Sequence, residues 1–409
     1  MSLSIPGKTV FQTWRDHDFF SGLSVFLVAI PLCLGLAIAS GAPPQAGLLT
    51  GVIGGFVVAS LSRSSLAISG PEAGLVAITA AGIATLGSFE SFLLSIIAAG
   101  LIQISLGIFK LGSWINYVPL TVMKGMIAGL GLILIGKQIP VALGASALVA
   151  IQNLTLVNIS IPAVILSLCC FAFYLILKKK SSAPLGLPLS LWVVFLGSLL
   201  SVVILKFSSI SSEAIVRVQI PPNIFSGIKF PEWSRLTELK IWQVGVPLGI
   251  FASLEALLCV KAIDKRDILN RKTPLDRELV AQGVGNIFCG ILGAIPLTAV
   301  IVRSAVNVDA GARTRLSFFT EGLLLLLAIL LFPWALNYIP QATLAIVLIF
   351  TGYNLTLPSI YRDLWHQGWK SFAPFVATVL GVLITGLLNG VLIGLIVAFL
   401  IERKFTASN

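Results

Sequence analysis

Charged side chains are scarce. Asp, Glu, Lys and Arg make up 11% of the 409 residues, against about 25% in soluble domains. That is too little to cover a water-facing surface, and 57% of the chain is hydrophobic. Histidine is scarcer still: His17 and His366 stand alone, both in polar flanks. A haem, di-metal or zinc-hydrolase centre therefore has almost nothing to be built from. The five cysteines (Cys33, Cys169, Cys170, Cys259 and Cys289) lack metal-ligand spacing and sit within apolar stretches; they read as buried small hydrophobes. No Gly-rich phosphate loop ending in Gly-Lys-Ser/Thr occurs, which leaves ATP-driven work by this chain unsupported. Short alternating strands are absent, which argues against a β-barrel. A cleavable leader is absent too, because residues 1–20 are mixed polar and run straight into a full-length apolar span. The formal charge of +11 does not point to nucleic acid, since the basic residues are spread over short loops rather than gathered into a patch.

What the chain has instead is long apolar runs. Stretches of the length that spans a bilayer recur from end to end, the mark of an all-α polytopic membrane protein. Spans fall near 19–40, 45–61, 90–109, 117–139, 159–177, 187–207, 241–262, 278–293, 315–333, 340–357, 371–387 and 389–403. Two shorter apolar pieces, near 70–84 and 298–311, each follow a break, Ser69-Gly70-Pro71 in one case and Gly293-Ala294-Ile295-Pro296 in the other. Together they make 14 membrane segments in the sequence reading. Most of the 27 Lys and Arg residues fall on one side of this threading, which makes that side, and both termini, cytoplasmic.

The chain also repeats itself. Asn116-Tyr117-Val118-Pro119 opens the fifth segment and Asn337-Tyr338-Ile339-Pro340 the twelfth. The second segment is glycine-rich (Gly47, Gly51, Gly54, Gly55), and so is the ninth (Gly283, Gly285, Gly290, Gly293). An odd number of segments per repeat turns the second half upside down. The result is a 7+7 inverted repeat with half-helices at segments 3 and 10, the arrangement that points to a transporter site.

Each short segment would begin as a half-helix near the bilayer midplane, with its first-turn N–H groups unsatisfied and about half a positive charge there. Starts near Pro71 and Ala299 that face each other would create a place suited to a small anion. The residues just before them, Leu66-Ala67-Ile68 and Leu297-Thr298, should be extended, which is tolerable only under a cover of protein or cavity water. Four ionisable residues fall at membrane depth: Glu255 in the eighth segment, Arg303 in the second short helix, Glu72 in the first turn of the first short helix, and Lys124 in the fifth segment. Each costs about 2.5–3.5 kcal/mol to insert, so function is the default hypothesis. Plain structural readings stand beside it. Glu255 and Arg303 could pair and fix the packing, and Glu72 could be a favourable first-turn acid. Lys124 could snorkel or bond carbonyls, and the glycines could serve close helix packing.

At these residues the sequence resembles the SulP/SLC26 family of anion transporters across essentially its whole length. The marks are Pro31 in the first segment with Ala39-Ser40-Gly41-Ala42-Pro43-Pro44 after it, Ser69-Gly70-Pro71, and Leu254-Glu255-Ala256-Leu257-Leu258. The most specific is Arg303-Ser304-Ala305-Val306-Asn307, continued by Ala310-Gly311-Ala312-Arg313-Thr314-Arg315-Leu316. The resemblance implies a cytoplasmic N-terminus over 1–18 and a substrate-carrying core domain over 19–112 and 241–335. It implies a gate domain over 113–210 and 336–404, an extracytoplasmic loop over 211–240, and a cytoplasmic tail over 405–409. Transport would be an elevator-like displacement of core against gate. Family substrates are small anions such as bicarbonate, sulfate, chloride and some dicarboxylates, and homodimers are common in the family.

Three departures bear on this. Family members usually continue into a cytoplasmic STAS domain, whereas this sequence stops at Asn409, so either the regulation attributed to that domain does not carry over or the domain was removed. The position after Gly70-Pro71 is commonly small or hydroxylated, and here it is Glu72, which would repel an anion unless it points away or is protonated. Sodium-coupled bicarbonate members support the acid at the Glu255 position with hydroxyls, where this chain has Cys259 and Ile301.

The expectation is thus secondary active transport of a small inorganic anion, bicarbonate or sulfate first, with no cofactor beyond a proton or sodium ion as coupling partner. Anion exchange is kept as a variant. Backbone amides near Ala73, Gly74, Ala299, Val300, Ile301 and Val302 would cradle the anion, and Arg303 would add attraction. Ala29, Leu32 and Cys33 would form an apolar wall, and Glu255 and Glu72 would handle the coupling ion. The rivals are a nucleobase or dicarboxylate carrier of the same fold, and an anion-sensing or channel-like membrane protein. Nucleobase carriers typically place acids on both the eighth and tenth segments, against which Arg303 argues. An enzyme lacks a nucleophile–base pair or a metal cluster.

Overall fold

A computed structural model describes residues 9–113, 118–145, 159–179, 188–207 and 215–406. Its elements are nearly all helices. The first half carries α1 (Val10–Ala39), α2 (Pro44–Leu61), α3 (Ala73–Leu86), α4 (Phe89–Ile108), α5 (Leu120–Ala142), α6 (Ile161–Lys179) and α7 (Leu189–Phe207). The second half carries α8 (Leu239–Asp264), α9 (Leu275–Ile291), α10 (Ile301–Asp309), α11 (Leu316–Leu331), α12 (Gln341–Leu355), α13 (Trp369–Thr385) and α14 (Leu387–Thr406). Among the described residues, 7 helical stretches are long and apolar enough to cross a membrane: α1, α2, α4, α5, α6, α8 and Gln341–His366, which contains α12.

Local chemistry sets the boundaries. Thr9 and Gln12 form a reciprocal capping box at the start of α1, satisfying two N–H groups that the first turn leaves open. The helix therefore begins at Val10, inside the stretch expected to be a polar tail. Asp18 accepts from the backbone amides of Arg313 and Thr314 and from the Thr314 hydroxyl, which ties α1 to the turn before α11. Helices α5 and α12 start directly after Pro119 and Pro340, where the fixed proline φ suits a helix start. Asn116 and Tyr117 of the first repeated tetrad lie outside the described residues. In the second, the Asn337 side chain accepts from the amide of Ile220 at 2.7 Å and donates to its carbonyl at 2.9 Å. Three further elements escaped the sequence reading: a short helix at Pro358–His366, and, inside the long connection before α8, a short helix at Ile224–Gly227 and a 3-10 turn at Trp233–Arg235.

The helices pack in two sets. In one, α4 lies against α8 and α9, and α11 against α1 and α2; in the other, α5 lies against α12 and α13, and α13 against α14. Helix α12 meets α1 where the sets join. Close crossings rest on facing glycines: a Cβ on Gly283 would come within 2.6 Å of the Gly100 carbonyl, and one on Gly352 within 2.7 Å of the Gly131 carbonyl. Four cysteines are buried as expected, but Cys169 is exposed on the outer face of α6.

Only one pair of strands is present among the described residues. Strand β1 (Ser69–Gly70) pairs antiparallel with β2 (Thr298–Ala299), Ser69 opposite Ala299 and Gly70 opposite Thr298. The extended residues therefore lie slightly later than expected. The short helices follow suit, with a 3-10 turn from Ala73 and an α-helix from Val76 in α3, and Ile301 as the first residue of α10. Both strands are buried, as backbone of this kind must be at membrane depth.

Candidate functional site

The strand pair is fixed from several sides. The Val300 amide donates to the Ile68 carbonyl at 2.8 Å, and the Ile68 amide donates to the Ser304 hydroxyl at 2.8 Å. Thr298 donates from its hydroxyl to the Ala252 carbonyl on α8 at 2.9 Å, one turn before Glu255. Helix α9 supports the strands with polar residues one turn apart. The Gln282 amide donates to the Ser69 hydroxyl at 2.7 Å and to Glu278 at 2.8 Å, while Ser62 donates to the other oxygen of Glu278. Asn286 accepts from the Leu297 amide and donates to the Leu297 carbonyl and to Gln103. All four of Gln103, Glu278, Gln282 and Asn286 are fully buried. Sequence reading missed this stripe, although its spacing of four residues was visible.

Where α3 and α10 begin there is a cavity of about 30 Å³, room for about two water molecules. Its wall includes Glu72, Gly74, Glu255, Ala299 and Ile301 from the predicted set. It also includes Met126, Ile127 and Leu130 of α5, Leu258 of α8 and Leu355 of α12. The α5 and α12 residues were not anticipated, because an apolar side chain on an apolar helix carries no sign of what it faces. Glu72 is the extended residue ahead of the 3-10 turn of α3, not a first-turn residue. The Glu255 carboxyl lies directly against Gly74, so closely that a Cβ there would collide with it. Its Oε2 is buried without a hydrogen-bond partner.

The remaining predicted residues sit elsewhere. Leu32 and Val302 line a second cavity of about 280 Å³ between α1, α10, α6 and α12. Ala29, Cys33, Ala73, Val300 and Arg303 line neither of these two cavities and are buried. Arg303 does not pair with Glu255. Its guanidinium forms an ion pair with Glu321 of α11, both 0% exposed. It also lies 3.9 Å from the Cys33 sulfur and packs on Gly70. Glu321 was missed, though a lone acid in the apolar run of α11 is the same signal that singled out Glu255. The Cys259 sulfur lies 3.8 Å from the Ser304 hydroxyl. Lys124 is half-buried on α5, outside the wall of the small cavity. Among the described residues, no three His, Cys, Asp or Glu side chains gather as metal ligands.

Residues 16–380 match the model of the sulfate permease family. The candidate sulfate transporter YvdB of Bacillus subtilis is 28% identical over 96% of this chain and 75% of its own length. The bicarbonate transporter BicA of a Picosynechococcus strain is 27% identical over 97% of this chain and 71% of its own. Among solved structures, the transmembrane domain of a cyanobacterial BicA superposes with a TM-score of 0.75 at 25% identity, covering 94% of this chain and 97% of that one. The SLC26A9 structure shares the fold, with a TM-score of 0.77 at 15% identity over 95% of this chain and 66% of that one.

Proposed function

Because the chain belongs to the sulfate permease family of membrane transporters, we infer that it carries a small inorganic anion, bicarbonate or sulfate first, by secondary active transport. The observation that supports this reading is that residues at the starts of two short helices, each following one strand of the β1–β2 pair, line one cavity. First-turn amides and the positive ends of two helix dipoles attract an anion without any basic side chain. The amides around Gly74, Ala299 and Ile301 cradle it, and the Ala73, Val300 and Val302 backbone completes the two turns.

Two carboxyl groups, Glu72 and Glu255, share the cavity wall, which opposes an anion unless a cation comes with it. Glu255, with an oxygen lacking a partner, is the group through which a proton or sodium ion couples. In this reading all 14 helices cross or enter the bilayer as an inverted repeat, with α3 and α10 as half-helices. The core, α1–α4 and α8–α11, moves against the gate, α5–α7 and α12–α14, as the two packing sets support. Both termini face the cytoplasm, and the gate offers the surface for a homodimer.

The test is uptake of radiolabelled bicarbonate and of sulfate into proteoliposomes under imposed proton or sodium gradients. Accumulation of either anion supports the reading, and the gradient that drives it names the coupling ion. Accumulation of uracil or a dicarboxylate instead, with neither inorganic anion taken up, would replace the substrate assignment.

A further inference from the structure

The cavity at the starts of α3 and α10 is poor in hydrogen-bonding side chains. Glu72 and Glu255 bring carboxyl oxygens to it, and every other side chain in its wall is apolar or absent, from Met126, Ile127 and Leu130 on α5 to Leu355 on α12. The two carboxyls are not alike. Glu72 has partners of its own, the Ala73 amide beside it and the attraction of Arg303. Glu255 lies with Oε1 against Gly74, and its Oε2 is buried with no hydrogen-bond partner. The charge that acts on it is that of Glu72. Arg303 makes its ion pair with Glu321, Cys259 of α8 faces Ser304, and Lys124 of α5 is outside the wall.

A buried acceptor calls for a donor, and none of the apolar lining side chains can supply one. The helix starts ask for the opposite. Their first-turn N–H groups have no partner within the helix and suit the oxygens of an anion. One kind of occupant meets both demands, an oxyanion that still carries a hydrogen.

We propose that the cavity selects oxyanions bearing a hydroxyl hydrogen, bicarbonate before sulfate: Glu255 Oε2 accepts the O–H of the anion, while the starts of α3 and α10 donate backbone N–H groups to its other oxygens. The proposal deepens the anion-transport reading and rests on it. Hydrogen bonds from O–H to an ionised carboxylate are short and strong, and low-dielectric surroundings strengthen them further. Bicarbonate brings its hydrogen at neutral pH. Sulfate lacks one and takes up a proton from the outer solution, which is held between Glu255 and a sulfate oxygen and released inside. The coupling role of Glu255 thus becomes a proton shared with the substrate.

Nitrate is the probe that isolates this hydrogen, because it matches bicarbonate in charge and planar shape and has no O–H. Affinities of the purified full chain in detergent are read by titration calorimetry at neutral pH and constant ionic strength. Nitrate is expected to bind at least about a hundredfold more weakly than bicarbonate, as sites built around a substrate hydroxyl reject analogues without it. In Glu255→Gln, whose amide can donate as well as accept, the two affinities are expected to converge to within about tenfold. In wild-type proteoliposomes, sulfate is expected either to be excluded or to enter faster as external pH falls, by up to about tenfold per unit for one proton per anion. Nitrate that binds wild-type protein as tightly as bicarbonate overturns the proposal, since the Oε2 donor would then come from elsewhere. Sulfate uptake that ignores external pH overturns it too, as does a folded Glu255→Gln protein with the wild-type preference for bicarbonate. Wild-type protein that moves neither bicarbonate nor sulfate overturns the transport reading itself, and the proposal with it.

Discussion

Gly74 and the Glu255 carboxyl occupy adjoining space, with no room for a methyl group between them. Gly74→Ala should push that carboxyl off its rotamer, at about 0.5–1.5 kcal/mol. Anion uptake should then fall by on the order of tenfold, since about 1.36 kcal/mol corresponds to tenfold in rate, while the melting temperature in detergent changes little. Uptake at the wild-type rate in this variant would remove Glu255 from the working surface. A second residue-scale prediction concerns pH. In the connection between α8 and α9, burial works against the charge of Asp267, but hydrogen bonds from Arg271 and from the Leu269 amide outweigh it and hold the carboxyl below the usual aspartate range. A group with a lowered folded pKa stabilises above its unfolded value of about 3.9 and loses that contribution as pH falls through the folded value. Melting curves recorded downward from pH 5 should fall more steeply for the native chain than for Asp267→Asn.

Helix α9 is the support on which the strand pair rests. Glu278, Gln282 and Asn286 recur every four residues, so they share one face, and that face meets Ser62, Ser69 and Leu297. Asn286→Leu would leave both backbone groups of Leu297 buried and unpaired, at about 1–3 kcal/mol for each group. The melting temperature should drop, and the apparent KM for the anion should rise as the second helix start loses its anchor. A drop in stability with an unchanged KM would make the stripe a packing device alone. At this scale the sequence was partly legible. Ser69-Gly70-Pro71 and the break before Leu297 announced both short helices, because glycine and proline act through local backbone geometry. Pairing of Glu321 with Arg303, and of Gln282 with Ser69, could not be read, because a single polar residue in an apolar run does not name the partner it will meet. The apolar wall from α5 and α12 left no trace for the same reason.

Across the whole molecule, the proposed motion of core against gate requires α1 to slide along α12. The Cγ of Leu348 stands 3.2 Å from where a Cβ on Gly35 would sit, within the reach of a disulfide. With the exposed Cys169 replaced by Ala, Gly35→Cys combined with Leu348→Cys should stop uptake on oxidation and recover it on reduction. Full uptake with the bond formed would exclude relative sliding at this contact. The paired tetrads and glycine-rich segments are the sequence features on which the proposed repeat, and with it the proposed core and gate, rest. The junction between them depends on surfaces that only the folded chain defines.

The strand pair also places a demand on synthesis. Ile68 depends on the Ser304 hydroxyl, 236 residues later in the chain. At about 5–20 residues per second, the ribosome needs roughly 10–50 s to deliver that partner. During this interval the nascent first half holds open amide and carbonyl groups in or beside the bilayer. A provisional shelter for them, from water, lipid headgroups or the insertion machinery, is therefore a requirement of biogenesis that the finished transporter no longer reveals.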